Sequence, residues 1–278
     1  MDVRTSGPGG PARPHDASRT GLSGAPADLG AVWRAHCADW CAWGLQPEAA
    51  GLFAVERRPG VVCAWWLGPP HDMQHNLWVD APPEGDPAEV LGLVRGSRGT
   101  VDLRLPVAPG AGRWSGAAHR LGYSLAELNP LMACPLPAPA AATPPPGIAV
   151  GLADGPGDYE AALGVVEAVF GGPHVLTRFF APRQGCRVYL GRWEGVPAAA
   201  ASVRPGDGLA DIYSVSTRPQ FRRRGLARAL LHCILATEAA HGLTTASLRT
   251  IDALVPYYGR LGFRVVGQSQ RLRRPTLR

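Results

Sequence analysis

Asp211-Ile212-Tyr213-Ser214-Val215-Ser216-Thr217-Arg218-Pro219-Gln220-Phe221-Arg222-Arg223-Arg224-Gly225-Leu226-Ala227 is the stretch on which the reading of this chain turns. Leu209 to Thr217 reads as a strand, a short loop carries three consecutive arginines, and Gly225 opens a helix that runs to Ala240. The start of a helix exposes N–H groups that have no intrahelical partner, together with the positive end of the helix dipole. Such a start is a ready site for a pyrophosphate. Gly225 lets a ligand come close to the backbone, and Ala227 keeps the next turn narrow. Arg222, Arg223 and Arg224 add charge at the same place. The loop has no Gly-Lys-Ser/Thr, and its single glycine is too few for a dinucleotide-binding fingerprint.

Working outward, the helix carries Leu226, Leu230, Cys233, Ile234 and Thr237 at spacings of three and four, and Gly242 is placed to terminate it. Leu243 to Thr250 reads as a strand, Leu254 to Leu261 as a short helix, and Phe263 to Val266 as the start of a last strand. Upstream, Asp158 to Phe170 reads as a helix with Tyr159, Leu163, Val166 and Phe170 on its apolar face. Cys186 to Trp193 and Val196 to Val203 read as strands joined at Glu194-Gly195, and Pro205-Gly206-Asp207-Gly208 turns the chain into the strand at Leu209. Hairpin strands followed by a strand-helix-strand unit predict an α+β domain on a mixed sheet.

These residues resemble the GCN5-related N-acetyltransferase (GNAT) superfamily. Its signature, Gln/Arg-x-x-Gly-x-Gly/Ala after a strand, is matched by Arg222, Gly225 and Ala227, with Thr217 to Phe221 as the lead-in. A second signature, Tyr-x-x-Leu-Gly-Phe, is matched by Tyr258, Leu261, Gly262 and Phe263. The resemblance covers roughly residues 150–270. It implies acetyl-CoA as acyl donor and no metal. The pyrophosphate is then expected on the backbone N–H groups of Arg223, Arg224, Gly225, Leu226, Ala227 and Arg228, with Arg222 beside them. The pantetheine arm is expected along Val215, Ser216 and Thr217, whose strand should splay from the strand at Leu243–Thr250. The resemblance also implies that Tyr258 is the general acid for the leaving thiolate. Asp211, on the same strand, is a candidate base acting through water.

The strongest break in the chain is the proline-rich run 135–147, through which neither helix nor sheet is expected to continue. It divides a leader at 1–26, a first domain at 27–134 and a catalytic domain at 148–278. The leader, rich in Gly, Pro, Ser, Ala and Arg, reads as disordered. In the first domain we expect a helix over Leu29–Trp43, strands at Val61–Leu67, Gln74–Val79 and Thr100–Val107, helices at Pro87–Val94 and Gly112–Leu121, and a strand region from Tyr123 toward Met132. Arg120-Leu121-Gly122-Tyr123 looks like a worn copy of Arg260-Leu261-Gly262-Phe263. The first domain is therefore read as a degenerate GNAT-like copy in a tandem protein. Before its helix near Pro87 the chain has Asp80, Glu84 and Asp86 instead of arginines, which would repel a pyrophosphate. The expected fold class is α+β: two GNAT-like domains, each a mixed, mostly antiparallel twisted sheet flanked by helices. The tryptophans of the first domain, Trp33, Trp40, Trp43, Trp65, Trp66, Trp78 and Trp114, fill a core or line an acceptor pocket.

Composition narrows the partners. The net charge is +6, with no lysine among the basic residues. Arginines and aromatics do not interleave as they do in a nucleic-acid groove, so a local phosphate-rich partner accounts for the charge better than nucleic acid. No run of 18 apolar residues suggests a membrane span. Cys37, Cys41, Cys63, Cys134, Cys186 and Cys233 form no CxxC pair and read as thiols of a cytoplasmic protein. His174 lies in a loop that could face an acceptor, while His232 and His241 read as helix-surface residues. The acceptor is expected to be an amine of a small molecule or of a peptide or protein, and a homodimer stays open. A non-catalytic acyl-CoA-binding regulatory module is the reading from another class.

Overall fold

In a computed structural model of the chain, the residues described are 28–34, 53–58, 61–66, 75–79, 87–93, 101–107, 111–138, 143–171, 185–206 and 208–274. The elements of the first half are α1 (29–34), β1 (Phe53–Arg58), β2 (Val61–Trp66), β3 (His75–Val79), α2 (Pro87–Leu93), β4 (Val101–Pro106), α3 (Ala111–Arg120) and β5 (Ser124–Pro135). The second half has β6 (Ile148–Leu152), α4 (Gly155–Phe170), β7 (Arg187–Trp193), β8 (Val196–Gly206), β9 (Leu209–Thr217), α5 (Leu226–Ala240), β10 (Thr245–Arg249), α6 (Val255–Gly259) and β11 (Arg264–Arg274).

The described strands join in one eleven-stranded sheet, ordered β1-β2-β3-β4-β11-β5-β10-β9-β8-β7-β6. The two halves repeat one pairing scheme. β1/β2 and β2/β3 are antiparallel and β3/β4 is parallel, just as β7/β8 and β8/β9 are antiparallel and β9/β10 is parallel. Each set ends in a helix, a glycine turn and a long strand. At the first turn Leu121 N and Tyr123 N both bond to Ala118 O, with Gly122 at φ 82°. At the second, Leu261 N and Phe263 N both bond to Tyr258 O, with Gly262 at φ 96°. The worn copy in the sequence is thus a repeat in backbone geometry.

The long strands after these turns have changed places. β5, from the first half, lies between β10 and β11, while β11, from the second half, lies between β4 and β5. The fold is α+β with a mixed, mostly antiparallel sheet, as expected, but the sheets of the two halves are continuous. The break at 135–147 divides the sequence without dividing the sheet. β5 runs into its first residue, Pro135, and the far end of the segment packs on the second half.

Alternation in the strands sorts side chains onto two faces. On one, Ala210, Ile212, Ala246, Leu248, Met132 and Cys134 pack under α5 through Leu226, Leu230, Leu231 and Ile234. The far end of α5 is tied to β7, where the buried Glu238 accepts from Arg187 Nε at 2.7 Å and Tyr189 OH at 2.6 Å. On the other face, Leu131, Ala133 and Leu209 pack with Val32 and Trp33 of α1. α4 covers Leu190 and Ala200.

Several elements differ from the reading of the sequence. β1 and β6 were not anticipated. α4 buries Ala162, Leu163, Val165 and Val166, whereas Phe170 is 54% exposed, because the helix rotates its small residues onto the sheet. Val107 lies just past β4 and is exposed. Trp33 and Trp114 belong to the core. The leader 1–26, the helix residues beyond 34, Cys37, Cys41, Trp40, Trp43 and His174 lie outside the described residues. Cys63, Cys134 and Cys186 are buried and Cys233 is half-buried.

Candidate functional site

β9 and β10 run side by side from Leu209/Thr245 to Ile212/Leu248, where their pairing ends. β9 continues to Thr217, held from its other side by β8. The divergence coincides with a bulge. Ser214 has a left-handed backbone, φ 54°, and the β8/β9 register jumps between Ala200/Ser216 and Ser202/Tyr213. An extra residue twists the strand and re-aims the residues beyond it. Ser216 Oγ donates to Ser214 O at 2.7 Å and braces the bulge. The result is an opening between two parallel strands, bordered by Val215, Ser216 and Thr217.

The chain leaves β9 through a short 3-10 turn at Pro219–Phe221, and Gly225 stands at the N-cap of α5 with φ 88°. That conformation costs an L side chain about 1–2 kcal/mol, which is why glycine is found there. The first i to i−4 bond of α5 joins Ala229 N to Gly225 O, so the N–H groups of Leu226, Ala227 and Arg228 precede the helical ladder. Arg222 folds back to donate from Nε to Thr217 O at 3.1 Å. The Arg224 guanidinium lies 4.8 Å from the Trp193 ring centre. Arg223 and Arg228 are exposed, with Arg223 at φ 62°. A Cβ on Gly225 would meet Pro145 Cγ at 3.5 Å, so the end of the proline-rich segment forms one wall.

Tyr258 comes from α6 and joins the core under α5. Its ring meets Phe263 edge-on at 5.9 Å and Tyr257 at 5.2 Å, which explains the order of the Tyr-x-x-Leu-Gly-Phe residues in space. Burial pushes the Tyr258 hydroxyl up to about 12, with the neighbouring Tyr257 adding to the effect. The Tyr257 hydroxyl and Thr217 Oγ1 are buried and make no hydrogen bond among the described residues.

Asp211 lies on the opposite face of the sheet from Tyr258, because Ala210 and Ile212 on either side of it point under α5. It is 1% exposed and accepts from Ser247 Oγ at 2.7 Å and from the Tyr213 hydroxyl. Tyr213 and Ser247 were not singled out from the sequence. Their alternation with Ile212 and Leu248 would have put them on the face of Asp211, but only the parallel register shows them bonded to it.

Residues 167–274 match the family model described as an acetyltransferase (GNAT) domain. No curated protein matches the chain. Among solved structures, a GCN5-related N-acetyltransferase from Kribbella flavida is similar, with a TM-score of 0.61 and 22% identity over 86% of this chain and 95% of that one. A GCN5-related N-acetyltransferase from Sphaerobacter thermophilus gives 0.58 and 19% over 91% and 95%. A tandem GNAT protein from the clavulanic acid biosynthesis pathway gives 0.57 and 15% over 86% and 88%. At these identities the likeness is one of fold.

Proposed function

The chain carries an acetyltransferase domain of the GNAT superfamily and is an acyltransferase, and from this premise we propose that it moves an acetyl group from acetyl-CoA to a primary amine of a small molecule by direct attack. The observation that carries the proposal is the opening of β9 from β10 after Ile212, with the bare N–H groups of a helix start immediately downstream. Thr217 Oγ1 and the Tyr257 hydroxyl favour a ligand rich in amides, since a buried hydroxyl without a partner costs stability until something bonds it.

Acetyl-CoA supplies an activated acyl carbonyl and a good leaving thiolate. In this reading the N–H groups of Arg223, Arg224, Gly225, Leu226, Ala227 and Arg228 bind the pyrophosphate, with Arg222 fixing the loop to the end of β9. The backbone of Val215, Ser216 and Thr217 aligns the pantetheine arm and offers an N–H to the carbonyl oxygen as it gathers charge. Tyr258 gives a proton to the departing sulfur from the face of α5. The amine enters from the opposite face and passes a proton toward Asp211. The sequence suggested a water for that step; in this reading the Tyr213 hydroxyl, which donates to the buried Asp211, takes the part of that water. Positioning compensates for the weak basicity of a carboxylate toward an ammonium group.

The first half, in the same proposal, is a degenerate GNAT-like copy whose duty is structural or acceptor-binding. It repeats the pairing scheme and turn geometry of the second half, yet carries Asp80, Glu84 and Asp86 where arginines stand in the other. A cytoplasmic site of action goes with an acetyl-CoA-dependent reaction. The test is release of free CoA from acetyl-CoA by the full chain with a panel of small amines and amine-bearing peptides, with mass analysis of the products. Acetylated small amines are expected. Turnover confined to peptides would move the acceptor class, and tight CoA binding without any turnover would make the chain a binding module.

A further inference from the structure

Asp211 lies one step inside the point where β9 and β10 part. Its partner on β10 is Ser247, Ile212 and Leu248 form the last pair, and Tyr213 is the first residue of β9 beyond it. Asp211 and Tyr213, two apart on one strand, project to the same face. Ser247 reaches that face from the neighbouring strand. Both oxygens of the carboxylate are taken by these two hydroxyls. Oδ1 accepts from Ser247 Oγ at 2.7 Å, and Oδ2 accepts from the Tyr213 hydroxyl.

The two sides of this carboxylate differ. On the inner side, Leu209 stands two residues before Asp211, and Ala133 of β5 stands opposite Ser247. Both belong to the cluster that Val32 and Trp33 of α1 cover, and Ser247 is fully buried like Asp211. On the outer side, Tyr213 is half-buried at the rim where the strands have separated. Charged groups surround the pair. Arg204 stands opposite Asp211 on β8, and Arg249 follows two residues beyond Ser247, where it feels Tyr213, Glu127 and Asp211. Of the helices on this face, α1 brings Asp28 and Arg34, and α4 brings Asp158, Glu160 and Glu167.

Resting on the acetyltransferase reading, with Asp211 as its base, we infer that Asp211 reaches the amine only through Tyr213, and that Ser247 is the positioning residue that holds this relay in order. Tyr213 is the group that touches the amine. As the C–N bond forms, the attacking nitrogen gives one proton to the Tyr213 oxygen. Tyr213 gives its own proton to Oδ2 of Asp211 and stays uncharged. Ser247 keeps its proton and its bond to Oδ1, while Asp211 ends neutral. The proton taken up here balances the one that Tyr258 gives to the leaving sulfur, and it returns through Tyr213 to water once the product has left. Ser247 serves the relay in two ways. A carboxylate held at Oδ1 keeps Oδ2 turned to Tyr213, and a donor to a carboxylate favours the charged form, the one able to take a proton. The first half has a part in this without touching the substrate, since α1 closes the inner side and leaves the rim as the way in and out.

The test uses the full chain, acetyl-CoA and the amine that the chain acetylates fastest in the panel above. Tyr213→Phe and Asp211→Asn are each expected to lower kcat about 100-fold. The double variant is expected to lose no more than about 3-fold beyond either, because residues that act as a unit do not add. Ser247→Ala is expected to lower kcat about 10-fold through the misplaced carboxylate. It is also expected to move the acidic limb of the kcat profile up by about one pH unit, since the carboxylate has lost a donor that favoured its charge. Ser247→Thr, which keeps the hydroxyl, is expected to restore the position of the limb. CoA affinity by calorimetry and the melting temperature are expected to stay near those of the wild type in Ser247→Ala, which separates positioning from damage to the opening; should a Ser247 variant not fold, the double variant still decides. Losses that multiply in the double variant, or a Tyr213→Phe chain as active as the wild type, overturn the relay. An acidic limb that stays in place in folded Ser247→Ala overturns the part given to Ser247. A wild-type chain that binds CoA and acetylates no amine overturns the acetyltransferase reading and the relay together, an outcome seen before any variant is made.

Discussion

At the scale of residues, Tyr258 and Gly225 make separable contributions. Tyr258 stays protonated well above neutrality because its hydroxyl is buried, so it holds a proton to give at working pH. Tyr258→Phe is expected to lower kcat by about 100-fold or more, the scale of general acid catalysis, with little change in KM for acetyl-CoA. If Tyr257→Phe gave that loss and Tyr258→Phe none, the acid would be the neighbouring residue. Gly225 acts through its backbone. Gly225→Ala is expected to cost about 1–2 kcal/mol of stability through its left-handed conformation and to keep CoA binding. Gly225→Glu is expected to leave a folded protein without measurable CoA binding, because it adds a negative charge where the anion must lie. Micromolar CoA affinity retained by the glutamate variant in calorimetry would contradict this.

At the scale of elements, what was legible in the sequence was what is local. The strand, arginine loop and helix around Gly225 are contiguous, and the Tyr258 to Phe263 turn closes within six residues, so both could be read from neighbours in the chain. β6 was missed because Ile148–Leu152 is short, carries a glycine and comes after prolines. The Ser247 partner of Asp211 was missed because only a parallel pairing 36 residues away puts the two together. The exchange of β5 and β11 left no mark, since pairing across more than a hundred residues has no periodicity to reveal it. It changes what the proline-rich segment does. A cut placed at 139–142 is expected to leave the two pieces bound together, because β5 is held between β10 and β11 on both its edges. Gel filtration of the cleaved protein in native buffer checks this, and separation of the pieces without denaturant would mean that the strands are not exchanged. A fragment 148–278 made alone is expected to lack a stable CoA site, since β10 and β11 lose the strand between them.

At the scale of the whole molecule, the two halves share a sheet but not a function. One CoA per chain is expected in a calorimetric titration, because only the second half has the glycine and arginines of a phosphate cradle; two equivalent sites would refute the assignment. Stability should respond to alkali in a particular window. Burial raises Tyr123 and Tyr258 from 10.0 to about 12 and Cys134 from 9.0 to about 11. The unfolded chain releases these protons first, so the stabilisation is complete below pH 9 and is lost as the pH climbs toward 12. Each group accounts for on the order of 2 kcal/mol. Denaturant melts at successive pH values should show the midpoint falling from about pH 9 upward, and a flat midpoint to pH 11 would count against the burial of these groups.

The exchanged strands also set a schedule for synthesis. When Pro135 leaves the ribosome, β4 and β5 have been made, but the strand that belongs between them begins at Arg264. At about 5–20 residues per second, the nascent first half waits roughly 6 to 26 seconds with two facing strand edges unpaired. Open edges invite pairing with other chains. The exchange of β5 and β11 thus leaves the growing protein dependent, until its closing strand appears, on whatever shields a half-made sheet in the cell.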